Sequence, residues 1–177
     1  MKYILSIFSI ALVFTACATS TPPGVKVVKN FEVDRYLGKW YEIARLDHSF
    51  ERGMSNVTAQ YSYNDNGTIR VLNSGYKEAL NKWDSAEGKA KFRGKKNEGS
   101  LKVSFFWPFY GGYHIIELSE DYEYVMIVGP SKNYLWILSR KPKINQNTYD
   151  ELVDKANSLG FPTQELIKVK HDKIQEP

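Results

Sequence analysis

From Gly38 to Arg140 the chain alternates apolar and polar positions at a period of two, the spacing of half-buried strands. In the first such segment Trp40, Glu42 and Ala44 share one face, and Tyr41, Ile43 and Arg45 share the other. Further strands are predicted at 56–63, 68–75, 82–87, 89–93, 100–106, 113–118, 124–128 and 134–140, the two short segments around Gly88 forming one bent strand. Asn64-Asp65-Asn66-Gly67, residues 95–99, Ser119-Glu120-Asp121 and residues 129–133 supply the turns. Eight short strands in this order predict an all-β fold, an eight-stranded up-and-down antiparallel β-barrel. After Pro142 the period changes. Tyr149, Leu152, Val153, Ala156 and Leu159 fall on one helical face, with Asn147-Thr148 as the cap and Gly160 as the stop. One C-terminal α-helix should therefore pack on the outside, followed by an extended piece at 165–170.

If eight strands run up and down, the first begins and the last finishes at the same end. Trp40 and Arg140 then become neighbours, and a guanidinium over the indole face is worth roughly 0.5–2 kcal/mol. That pair closes one end and leaves the other open. Alternation places Val57, Ala59, Tyr61, Tyr63, Ile69, Val71, Asn73, Leu101, Val103, Phe105, Trp136 and Leu138 inside. Small residues at Ala44, Ala59 and Gly75 on the presumed inner face favour a cavity over a solid core. Tyr124 to Val128 is apolar on both faces, so alternation does not orient it. The open-end connections are residues 46–55, 76–81, 107–112 and 129–133. Phe50, Trp107, Phe109 and Tyr110 lie in or beside them, as suits an apolar ligand or a membrane surface. The candidate ligand-binding residues are Phe50, Tyr61, Val71, Asn73, Phe105, Tyr113 and Trp136.

The chain of 177 residues suits one domain, and its 14% aromatic content agrees with β structure. The formal charge of +4 is spread among interspersed acids and bases, which argues against a nucleic-acid partner. Residues 1–16 read as a removable signal peptide, with Lys2, an apolar run to Phe14, and Thr15-Ala16 before Cys17. Cys17 is the only cysteine, so it has no intrachain disulfide partner. Its setting resembles the bacterial lipoprotein box, apart from Phe14 where leucine is usual. Lipidation of Cys17 is expected, with 17–24 as a tether and 25–172 as the barrel domain. Acyl chains at roughly 0.8 kcal/mol per buried methylene then hold the protein on a membrane. Ala18 in place of aspartate favours the outer membrane.

Little in the chain suggests chemistry. His48, His114 and His171 show no metal-ligand spacing, and no cofactor or metal is expected. Asp47-His48 reads as a surface pair. Glu42 should point inward near the closed end and be hydrogen-bonded there. Gly111-Gly112 lacks the lysine and helix of a phosphate loop. Lys89, Lys91, Arg93, Lys95 and Lys96 read as a solvated strand face at the closed end.

Gly38-Lys39-Trp40 and the closing arginine of Trp136-Ile137-Leu138-Ser139-Arg140 resemble the first and last motifs of the lipocalin family. Phe50-Glu51-Arg52-Gly53 and Val103 to Tyr113 extend the likeness to the bacterial branch of outer-membrane lipoproteins, with apolipoprotein D more distant. The middle motif, usually Thr-Asp-Tyr, here reads Glu120-Asp121-Tyr122. The resemblance makes Gly38, Trp40 and Arg140 structural motif residues. It implies a non-enzymatic calyx that stores or transports a fatty acid or lysophospholipid, lipid-anchored at the outer membrane and facing the periplasm. Bacterial members can be dimeric, so a homodimer is one expectation. A lipocalin-fold enzyme acting on a lipid and a structural envelope lipoprotein are the alternatives.

Overall fold

The computed structural model describes residues 19–173; the predicted leader and Cys17 lie outside them. Eight strands follow one another around a closed antiparallel barrel. They are β1 (Gly38–Arg45), β2 (Met54–Tyr63), β3 (Ile69–Lys77), β4 (Lys82–Phe92), β5 (Ser100–Phe106), β6 (Phe109–Leu118), β7 (Tyr124–Val128) and β8 (Leu135–Ser139). β1 closes the ring by pairing with both β2 and β8. β4 runs unbroken through Gly88, where a Cβ would lie 2.7 Å from the Ser104 carbonyl oxygen and 2.8 Å from the Phe105 ring. Only glycine lets β5 approach there.

The core is split by the barrel wall. Inside, Phe31, Tyr36, Trp40, Tyr61, Ile69, Leu101 and Ile115 fill the closed half. Outside, helix α2 (Gln146–Ser158) lays Tyr149, Leu152 and Ala156 on Ile43, Ile116, Met126 and Ile137; the shorter helix α1 (Val33–Tyr36) precedes β1. This explains why β7 is apolar on both faces. Val125 and Ile127 face the interior cluster, while Met126 and Val128 lie in the outer one.

Helix α2 begins earlier than the 147–148 cap predicted, because Asn145 accepts from the Asn147 N–H at 2.9 Å and is the N-cap. It ends as expected at Gly160, in a left-handed conformation. There the Phe161 N–H donates to Ala156 O and the Gly160 N–H to Asn157 O, the paired bonds of a Schellman turn. The extended tail forms β9 (Ile167–Lys168), which pairs with Ala44 and Arg45 on β1.

Two alternation-based assignments fail for identifiable reasons. The register of β1 against β8 shifts between Glu42 and Ala44. Past this bulge Ala44, expected inside, packs in the outer cluster, and Arg45, expected outside, is buried and bonded to Glu42. Tyr63, also expected inside, is 49% exposed and donates its hydroxyl to Asp34. Phe31 and Tyr36 already occupy the interior at that level.

Candidate functional site

The closed end is sealed by the predicted pair. Trp40 is fully buried, and the Arg140 guanidinium carbon stands 3.9 Å from its ring centroid. The Trp40 indole N–H donates to Tyr36 O at 2.8 Å. Arg140 donates to three backbone carbonyls, Tyr122 O at 3.2 Å, Lys39 O at 3.0 Å and Arg35 O at 2.7 Å. Gly38 has φ of +97°, and a Cβ there would sit 3.3 Å from Arg140 Nη1, so the glycine serves both backbone and plug. In the turn that holds the altered middle motif, Ser119 Oγ accepts from the Glu123 and Tyr124 N–H groups.

Above the plug lies the cavity. An inner chamber of about 90 Å³ opens into an outer one of about 320 Å³, the two sharing Phe50, Glu51, Val57, Asn73 and Phe105 on their walls. The outer chamber alone falls within the roughly 300–1,000 Å³ usual for small-molecule sites. All seven candidates, Phe50, Tyr61, Val71, Asn73, Phe105, Tyr113 and Trp136, lie on the inner chamber's wall. So do Val103 and Leu138, and Ala59 and Gly75 each border one of the two chambers. The floor is a run of phenols. Tyr113 shares hydrogen bonds with Tyr36 at 2.5 Å and Tyr61 at 2.8 Å. Burial holds all three neutral, with Tyr61 pushed up to about 12.

One wall is polar, and most of it escaped sequence reasoning. Arg45 donates to Glu42 Oε1 at 2.6 Å and to the carbonyls of Glu51 and Met54 at 2.9 and 3.1 Å. The Glu51 carboxylate accepts from the Trp136 indole at 3.1 Å. Glu42 points inward and is hydrogen-bonded, as expected. Burial first, then the facing Glu51, raise its pKa well above the carboxylate range despite Arg45. Burial raises Glu51 as well. Asn73 Oδ1 is buried in this setting without a hydrogen-bond partner.

His48, expected on the surface, is buried. Its ring stacks on Phe50 at 4.0 Å and stands 5.0 Å from Trp136. Asp47 instead points out to Arg52, so only half of the pair is at the surface. Burial and then Arg45 depress the His48 pKa to about 4. The Glu42-x-x-Arg45 spacing was the available signal for this wall, but strict alternation put the two on opposite faces.

The mouth is aromatic. The connection expected over 107–112 is a tight hairpin instead, because β6 already starts at Phe109, paired with Phe106. Phe50 and the hairpin residues Phe106, Trp107 and Phe109 are exposed around the opening.

A barrel plugged at one end, open at the other and hollow between is a calyx, the architecture of a binding protein for a small apolar molecule. The chain belongs to the lipocalin-like family, whose domain model matches residues 31–171. It is 50% identical over 161 residues to outer membrane lipoprotein Blc of Citrobacter freundii, covering 90% of this chain and 91% of that one. Bovine apolipoprotein D is 32% identical over 152 residues, with 81% and 79% covered. The solved structure of insecticyanin from the tobacco hornworm shares the fold at a TM-score of 0.66 and 21% identity, over 89% of this chain and 88% of that one.

Proposed function

We propose that this protein is an outer-membrane lipocalin, anchored through Cys17, that holds one fatty acid or lysophospholipid for storage or transport in the bacterial envelope. The observation that carries the reading is the two-chambered, mostly apolar cavity above the Trp40–Arg140 plug. The relatives called outer membrane lipoprotein support the anchor and the location. The polar wall supports a tail-first pose. The Arg45 guanidinium is taken up within the protein by Glu42 and by the carbonyls of Glu51 and Met54, so the inner chamber offers no free cation to an anionic headgroup. An acyl tail fits there, and the charged head stays at the mouth. Asn73 Oδ1 lacks a donor, and a lysophospholipid brings a free hydroxyl that an ionised fatty acid does not.

Titration of delipidated protein with palmitate and a palmitoyl lysophospholipid, followed by tryptophan fluorescence, tests the reading. One ligand per barrel is expected. Val71→Asp, which puts a charge on the inner wall, should weaken binding at least tenfold, and Lys95→Glu at the far end should leave it unchanged. Equal affinity in wild type and a folded Val71→Asp would place the ligand outside the calyx and end the proposal.

A further inference from the structure

We infer that the barrel stands mouth-down on the membrane that holds its anchor, with the Phe106–Phe109 hairpin tip in the lipid interface and the calyx opening directly onto the leaflet. The inference rests on the reading of Cys17 as a lipid anchor. Two independent observations place both features at one end.

The first is the distribution of exposed apolar side chains. Phe106, Trp107 and Phe109 are 75%, 74% and 68% exposed. Among the described residues, the other large apolar side chains left in solvent are Phe50, Leu80 and Phe105 at the same end, and Tyr63 and Ile167 elsewhere. The tip runs Phe105-Phe106-Trp107-Pro108-Phe109-Tyr110 without a charge, and tryptophan favours the boundary between lipid and water.

The second is the path of the N-terminal segment. It runs along β6 from the mouth half toward the plug. His114 Nε2 donates to Thr19 O at 3.1 Å, the Val28 N–H donates to Ile115 O, and the Phe31 N–H donates to Asn97 O. A Cβ on Gly112 would meet Thr19 O at 3.2 Å, so the contact is close. Thr19 therefore sits beside Gly112, three residues from Phe109, or about 10 Å along a strand. Cys17 is two residues upstream, so the intervening chain spans at most about 7 Å. A link that short keeps the mouth end against the membrane.

The β4–β5 ladder is also incomplete on this side. β4 pairs with β5 only from Lys89↔Ser104 to Phe92↔Leu101, so its mouth half, 82–88, has β3 on one edge and no ladder on the other. Asp84, Ser85, Ala86 and Phe105 border the outer chamber at that seam.

The test uses full-length acylated protein in vesicles of phosphatidylethanolamine and phosphatidylglycerol, 3:1, containing lipids brominated near the headgroup. An environment-sensitive dye is attached at Leu80→Cys in the mouth or at Lys96→Cys in the closed-end turn. Mass spectrometry and flotation first establish that Cys17 is acylated and the protein membrane-bound; failure at that stage overturns the anchor reading and this inference with it. With the anchor in place, the Leu80→Cys label should be quenched several-fold more than the Lys96→Cys label. The triple variant Phe106→Ser, Trp107→Ser, Phe109→Ser should stay anchored and lose most of that difference. Equal quenching, stronger quenching at Lys96→Cys, or a mouth label shielded only by a second copy in cross-linking overturns the orientation and leaves the anchor reading intact.

Discussion

The two ends of this barrel solve opposite problems with similar residues. At the closed end a tryptophan is fully buried and an arginine is bonded to three backbone carbonyls, so apolar area and charge are both satisfied within the fold. At the mouth a tryptophan and three phenylalanines stand largely in solvent. Aromatic content alone therefore says nothing about role; what matters is whether the neighbouring polar groups have partners inside the protein. The closed end satisfies its own groups, and the mouth leaves its aromatic area uncovered by the rest of the fold.

That contrast breaks most visibly at the plug. Trp40→Ala should cost about 3–5 kcal/mol in urea unfolding, the usual range for removing a buried large aromatic. Arg140→Ala should also destabilise, and the double variant should lose less than the sum of the two, because the guanidinium stacks on the indole. Strict additivity would show the contact to be passive.

Next in size is the polar wall. Arg45→Ala leaves buried carboxyls without their cation and should cost about 3–5 kcal/mol. Glu42→Gln should be tolerated within about 1 kcal/mol, since burial and the facing Glu51 already work against its charged form and the amide keeps an oxygen for Arg45. A Glu42→Gln loss equal to that of Arg45→Ala would mean Glu42 is ionised.

His48 predicts a smaller, pH-dependent effect. Its pKa in the fold is about 4, below the usual 6.5, so the unfolded chain binds more protons between those values. Its contribution to stability is complete above pH 6.5 and is lost as pH falls toward 4. Melting temperature should drop over that window, and His48→Phe should flatten the drop; an unchanged slope would place the acid sensitivity elsewhere.

The smallest effect belongs to the rim. Phe106→Ser should shift stability by less than about 0.5 kcal/mol, because the side chain is three-quarters exposed. A loss comparable to that at the plug would show that the hairpin is part of the fold's core.

The same division governs what the chain reveals before folding. Trp40, Gly38 and Arg140 were legible because regular alternation and an even strand number determine where the first and last strands meet. Among the calyx residues, Tyr61, Val71, Asn73, Phe105 and Trp136 followed from the same period of two. Arg45 and Ala44 were misplaced because a single bulge reverses every face beyond it, and no local residue announces the bulge. His48 and Glu51 lie in a loop without period, and only tertiary packing turns them inward. β7 resisted orientation because both of its faces are buried, one by the barrel interior and the other by α2.

The phenol floor gives the cup a measurable depth. A guest entering tail-first through the mouth meets Tyr61 and Tyr113 at the bottom, and the rings of Tyr36 and Trp40 lie beneath them. On the proposed tail-first pose the cup would work as a dipstick: each added methylene is dry until the tail touches bottom, and wet afterwards. Affinity across a series of single-chain lipids should climb by a constant step and then level off at one length, and substituting Tyr113 by alanine should move that plateau to longer tails.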